Sequence, residues 1–499
     1  MAPLPRRFAF GVPRSMALGA AGVLAFASVA LGAVTPPVVV SGDPSIFAAC
    51  PDGQSEGPPP GEVFVNAEVE PWIAVNPANP TNLIGVWQQD RWTDGGSKGL
   101  NTAYSMDGGA SWTLAAPIPW STCAGSPDTA ATRATDPWVS IGPDGTAHSI
   151  ALALDPNGFM TAILASRSTD GGATWSTPAT LIRDDDLRFF NDKESITADP
   201  TDPDLVYAVW DRIYKPGESK GFPSQLNSFA FRGFPYLARS TDGGVTWESP
   251  RRISSNANQF TIGNQVVVLP DGTLIDFTFY GTGSGVQPSN HNWHAVYRST
   301  DHGLTWSKPV IIAELLEVAH RVPDGTFPVR AGGDDIAVDA ASGDLYAVWT
   351  DGRFNDGAHN DIVLSKSTDG GLTWSAPAKV SGNPVGVDAH TPSVEVNADG
   401  QVAVGYYDYR NDVAGDTSAT TDYWNTISSD GGDTWTEQRL TSSSFDISDA
   451  PVAPASRGYF LGDYMGLASR GSAFANLYVV ATPDTSNRTD VIFREVTEP

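Results

Sequence analysis

Acids and cations recur at one kind of place in this sequence, just before short apolar runs. Glu70 stands before the run that starts at Pro71, and Asp136 before the one at Pro137. Lys193 and Glu194 open a third, and Asp334 and Asp335 open another. His390 precedes a further run and Asp463-Tyr464 the last. If the starts of these runs meet, several carboxyls share one opening. Crowded carboxylates repel, so one keeps a proton near neutral pH while a neighbour stays ionised. That pairing is the equipment of general acid–base chemistry. Asp463 and Tyr464, with Asp136 and Glu70 opposite, are the expected catalytic set. Asp334, Asp335, Lys193, Glu194, Arg330, His390 and Trp293 are the expected substrate contacts. Lys193 and Arg330 would neutralise a substrate carboxylate. His390 would offer an alternative base and Trp293 an aromatic platform.

The elements that gather these residues are written as an internal repeat. SMDGGASW at Ser105–Trp112 returns as STDGGATW at Ser168–Trp175 and STDGGVTW at Ser240–Trp247. It returns again as STDHGLTW at Ser299–Trp306, STDGGLTW at Ser367–Trp374 and SSDGGDTW at Ser428–Trp435. Each copy lies between short alternating runs, so it reads as a hairpin turn. The Asp accepts backbone N–H groups, Gly supplies backbone angles closed to other residues, and Trp pins the turn to its own sheet. A second pair of short strands precedes each copy, for example Ser195–Ala198 then Leu205–Trp210, and Asp335–Val338 then Leu345–Trp349. Four antiparallel strands per period predict an all-β fold, a β-propeller of four-stranded blades. First strands are expected near residues 71, 137, 194, 264, 335, 392 and 464. This favours seven blades, with six as the alternative, and Val38–Ser41 would close the ring. The turns then occupy one end, and the acids before the first strands gather at the other.

Composition narrows the function. Of 499 residues, 57 are Asp or Glu and 30 Lys or Arg, a net charge of −27. That field repels phosphate backbones and anionic membranes, so nucleic acid is not an expected partner. No P-loop or dinucleotide fingerprint is present. Residues 1–30 read as a signal peptide, 31–64 as an N-terminal segment and 65–499 as the propeller. The expected location is therefore secreted, with no stable membrane insertion after cleavage. Cys50 and Cys123 form one candidate disulfide. No cofactor is required. Asp184-Asp185-Asp186 and the Asp199–Asp204 turn offer carboxylates to calcium, but neither has the spacing of a known loop site. Four Asp/Arg pairs after second strands (Asp90-Arg91, Asp211-Arg212, Asp351 with Arg353, Asp408 with Arg410) read as salt bridges between blades. Tyr214, Phe222, Phe229, Phe231 and Tyr423 sit in long connections at the acidic end.

The Ser-x-Asp-x-Gly-x-Thr-Trp motif is the Asp box, or BNR repeat. Over roughly residues 65–496 the chain resembles the sialidase-like BNR-repeat propellers. The resemblance implies a carbohydrate substrate and cleavage by paired carboxylates. Sialidases carry an Arg-Ile-Pro on the first inner strand, where this chain has Val69-Glu70-Pro71. Gly263 falls where that family has a Glu, and Thr278-Phe279 where it has an Arg. Tyr464 echoes its Tyr. The pattern departs from an ordinary sialic acid hydrolase and implies a divergent, secreted, glycan-active enzyme. A polysaccharide lyase using His390 or Tyr464 is a variant. A non-catalytic glycan- or protein-binding propeller is the alternative.

Overall fold

The computed structural model describes residues 32–55, 60–215, 232–282, 291–325, 327–355, 357–452 and 458–498. The expected leader and the aromatic residues Phe222, Phe229 and Phe231 lie outside the described residues. Strands pair antiparallel in sets of four. The first strands of these sets are Val63–Val75, Arg133–Ile141, Phe189–Ala198, Gln259–Val268, Asp334–Val338, Ala389–Val396 and Gly466–Arg470. In each of the first six sets, four consecutive strands follow one another across the sheet. In the last, three consecutive strands are completed by Val38–Val39, with Val38 opposite Phe493. Each first strand touches the first strand of the next set, and Val63–Val75 touches Gly466–Arg470. The series therefore returns on itself, and the fold is an all-β propeller of four-stranded antiparallel blades.

The first six first strands begin earlier than the sequence implies, at Val63 instead of residue 71 and at Phe189 instead of residue 194. Five of the six apparent starts are β-bulges, and the strand Asp334–Val338 has none. Register shifts fall between Val69 and Trp72, Thr135 and Trp138, Asp192 and Ser195, Ile262 and Gln265, and His390 and Ser393. Each bulge holds a left-handed residue: Glu70 (φ 54°), Asp136 (51°), Lys193 (51°), Gly263 (76°) and Thr391 (52°). A non-glycine residue there costs about 1–3 kcal/mol. Bulges re-aim side chains, and three of these four non-glycine residues are charged.

The turns at the far end are uniform. In the fourth box, Ser299 and Thr305 hydroxyls donate to Asp301 at 2.8 and 2.6 Å, and the Thr305 N–H donates at 2.8 Å. The Thr305 bonds hold the exposed Asp301 carboxyl down to about 2. The box Trp is not confined to its own sheet. Trp112 packs on Phe493 of the last sheet, ring centroids 5.4 Å apart, and Trp306 packs on Tyr207 and Leu237 of the sheet before it. Each Trp therefore fastens one blade to its predecessor. The second box glycine has the same neighbour: a Cβ on Gly172 (φ 93°) would lie 2.9 Å from Ile84 Cδ1. Gly172→Ala is expected to cost about 1–3 kcal/mol in urea unfolding. Gly400→Ala, whose Cβ meets nothing nearer than 3.7 Å, should cost less.

Elsewhere the N-terminal segment is tied down by a Cys50–Cys123 disulfide, Cα–Cα 5.6 Å. One buried acid has neither a partner nor a place at the mouth. Asp276, on the strand Leu274–Thr282, is fully buried and neither oxygen is hydrogen-bonded. Burial pushes its carboxyl well up, and Asp211 adds to this. The fold keeps a proton there that the unfolded chain releases above pH ~4, so stability from this site is lost as pH rises. Asp276→Asn should gain about 1–3 kcal/mol at pH 8 and little at pH 4. Urea titrations at the two pH values check this.

Candidate active site

Ring closure brings the bulges together. The left-handed turn at Lys193 sends its ammonium to 2.7 Å from Asp463 Oδ2, 3.0 Å from Asp136 Oδ1 and 3.5 Å from Glu70 Oε1. These three acids come from three other points of the ring, and Asp136 and Asp463 share one rim. Arg330 Nη2 donates to Asp463 Oδ2 at 3.0 Å. The Asp463 N–H donates to Glu70 Oε1 at 3.2 Å, and the Glu70 N–H donates to Leu461 O at 3.1 Å, so the seam between last and first sheets runs through this cluster. Gln88 Nε2 donates to Glu70 Oε2 and, at 2.9 Å, to Thr135 Oγ1. Below the cluster Trp72 and Trp138 stack at 3.4 Å, and Tyr464 stands edge-on to both. This aromatic plug divides the mouth from the channel behind.

Charge states in the cluster diverge. Burial pushes Glu70 up to about 8 against the pull of Lys193, and Asp192 up to about 7 with Asp136 adding to it. Burial also drives Glu194 well up, again with Asp136 contributing. Asp463 goes the other way: burial opposes its charge, but Arg330 and Lys193 hold it well below the usual carboxylate range. Lys193 keeps its proton, since its acidic neighbours outweigh its burial. Both Glu194 oxygens and Asp463 Oδ1 are buried without a hydrogen-bond partner.

These groups border an open cavity of about 180 Å³. Glu194, Asp463, Lys193, Arg330 and Asp334 lie in its wall, with Trp138, Phe279 and Trp349 as apolar faces. The cavity does not collect every expected residue. Glu70 and Asp136 stand behind Lys193. Tyr464 reaches the wall, but its hydroxyl donates to Pro137 O at 3.0 Å and burial drives its pKa well up, so it braces the plug. Asp335 faces the channel beyond the plug, where it accepts the N–H groups of Ile336 and Val394 at 2.9 Å each. His390 is buried in the sixth sheet, stacked on Tyr407; burial and the nearby His320 charge push it down to about 3. Trp293 packs on Tyr280 and His291, away from the cavity.

Several supporting features also differ from expectation. Tyr423 is no exposed platform, since it lies fully buried against Tyr478. Tyr214 packs on Phe189. Arg353–Asp351 and Arg410–Asp408 pair at 2.7 and 2.5 Å. Arg91 instead donates to Gln88 and Arg212 to Asp184. Asp185 and Asp186 take Arg183 and Arg188, while Asp199 caps its own turn. Among the described residues no group of three or more His, Cys, Asp or Glu is arranged to hold a metal ion. No helix among them is long and apolar enough to cross a membrane.

Two groups in the wall, Glu317 and His294, were not among the expected residues. Glu317 lies in the connection before the fifth sheet, and its Oε1 accepts Thr350 Oγ1 at 2.9 Å and faces His320 Nε2 at 3.2 Å. His294 Nδ1 lies 3.2 Å from Asp334 Oδ2. Neither His294 nor Glu317 belongs to the repeat, so no pattern pointed to them.

The BNR/Asp-box repeat family matches residues 297–308, which hold the fourth box with the bonding described above. The chain is a propeller that carries the Asp-box repeat. This propeller is 29% identical over 258 residues to a xyloglucanase of Paenibacillus sp, covering 49% of the chain and 21% of the relative. It is 31% identical over 182 residues to a sialidase of Micromonospora viridifaciens, covering 33% of the chain and 26% of the relative. The propeller thus spans about a quarter of the length of the curated relatives it matches. Among solved structures it is similar to the Hadza microbial sialidase Hz136, with a TM-score of 0.46 and 17% identity over 74% of this chain and 66% of that one. It is also similar to a Penicillium chrysogenum α-L-arabinanase, with a TM-score of 0.45 and 12% identity over 90% and 97%.

Proposed function

We propose that this chain is a secreted glycoside hydrolase that works from the mouth cavity, with Glu194 as proton donor and Asp463 as the ionised partner. One observation carries the reading. A proton-holding acid and an ionised one stand in the same cavity wall, with three of their four oxygens unpartnered. Environments that push two carboxyls apart in this way assign acid and base, and glycosidic cleavage needs such a pair. Glycosidases among the curated relatives support the substrate class. Of the expected catalytic set, Asp463 keeps a direct role. Glu70 and Asp136 act through Lys193, and Tyr464 through the plug. We also propose a seven-bladed ring, which the seven first strands and the Val38–Phe493 pairing support. Export is supported by the apolar run Met16–Val34 and by the disulfide.

The test is release of reducing ends from a panel of neutral and acidic polysaccharides by wild type and Asp463→Asn. Wild type should turn over at least one, and Asp463→Asn should lose about 10²-fold or more. Equal rates in both proteins remove Asp463 from the site. Retention on a glycan array with no turnover of any polysaccharide would instead support a binding propeller.

A further inference from the structure

Resting on that reading, we infer that Glu317 is a substrate-binding carboxylate that takes hydroxyl groups of a neutral sugar, held in place by a buried His320–Asp388 pair. Glu317 borders the cavity, with about 33% of its side chain exposed, whereas His320 and Asp388 are buried behind it. Asp388 Oδ2 lies 2.6 Å from His320 Nδ1, and the opposite ring nitrogen faces Glu317 Oε1. Asp388 Oδ1 is fixed by the Asn360 N–H at 2.6 Å and by Asn360 Nδ2 at 3.0 Å. Burial disfavours charge on His320, yet Asp388 and Glu317 push it up to about 10, so it donates at both nitrogens. With Thr350 as second donor, Glu317 Oε1 is saturated and the side chain is locked.

The charge inventory gives the ligand class. A fixed carboxylate with solvent access accepts hydroxyl groups and repels a second carboxylate. The two cations of the cavity wall, Lys193 and Arg330, both end on Asp463 Oδ2. Asp334 adds another acid to the same wall. An anionic sugar would meet acids and cations already paired. A neutral sugar offers hydroxyl donors to Glu317 and apolar ring faces to Trp138 and Trp349.

The experiment compares wild type, Glu317→Gln and Asp388→Asn on neutral β-glucan and arabinan oligosaccharides, and on sialyllactose and oligogalacturonate. Wild type should act on a neutral compound and leave the acidic ones. Glu317→Gln should raise KM about 10–100-fold with kcat within about 3-fold. Asp388→Asn should raise KM about 3–10-fold and lower the His320 titration followed by NMR. An unchanged KM in Glu317→Gln, or wild-type preference for an acidic sugar, overturns the inference and leaves the hydrolase reading intact. If wild type cleaves none of these, the hydrolase reading fails. Calorimetry with the same neutral oligosaccharides then decides the subsite. Binding weakened 10–100-fold by Glu317→Gln supports it, and no binding by wild type refutes it.

Discussion

Glu194→Gln is expected to lower kcat by about 10²–10⁴-fold, the range for losing a general acid, while the fold holds. Glutamine keeps the size of the side chain but has no proton to give. Glu194 makes no hydrogen bond through either oxygen, so the substitution breaks none. The burial that pushes its carboxyl well up disfavours only the ionised form. The variant should therefore melt no lower than wild type, and at pH 8 slightly higher. A pH profile adds a second readout. The alkaline limb of wild-type kcat follows loss of the acid's proton, so it should vanish in Glu194→Gln. Full activity in the variant would move the proton donor elsewhere in the cavity.

Lys193→Met should show the largest stability effect. Its ammonium is shared by Asp463, Asp136 and Glu70, all largely buried. Removing one member of a buried charged group typically costs about 3–5 kcal/mol, because the others are left unpaired. Methionine keeps the apolar stem near the Tyr464 ring, now 5.9 Å from the Lys193 nitrogen. The loss should be greatest near pH 8, where Glu70 gives up its proton, and smaller near pH 5, where Glu70 is neutral. Lys308, exposed on the box side, is the control, and Lys308→Met should stay within about 0.5 kcal/mol. Urea unfolding of both variants at the two pH values makes the comparison. A Lys193→Met cost no larger than the control's would show that the cluster does not hold the mouth together.

The fold was legible because each residue of the Asp box has a local task. Asp, Ser and Thr bond to one another within the turn, and those partners are a few residues apart in the chain. What lay between blades was not legible. The Trp of each box packs on the preceding sheet, a partner that sequence spacing does not reveal. The mouth was half legible. Glu70, Asp136 and Lys193 were singled out because they precede apolar runs. Pro71, Pro137 and Pro392 read as strand starts, whereas they follow left-handed residues inside longer strands. The location of the charges was therefore legible, but their partners were not. Lys193 appeared as a contact for an acidic substrate, while in the fold it is bound by the protein's own acids. His390 drew attention as a lone histidine at a strand start, but the histidine in the cavity wall is His294, and the one that holds Glu317 from behind is His320. Its partner Asp388 is 68 residues away, in a connection that carries no repeat.

The most direct measurement is a crystal structure of Glu194→Gln with a bound neutral oligosaccharide. The account predicts a sugar in the mouth cavity, its glycosidic oxygen about 2.6–3.2 Å from the residue 194 side chain and a ring beside Asp463. A sugar seated at the Asp-box end, or one in the cavity with its linkage turned away from both residues, would contradict it.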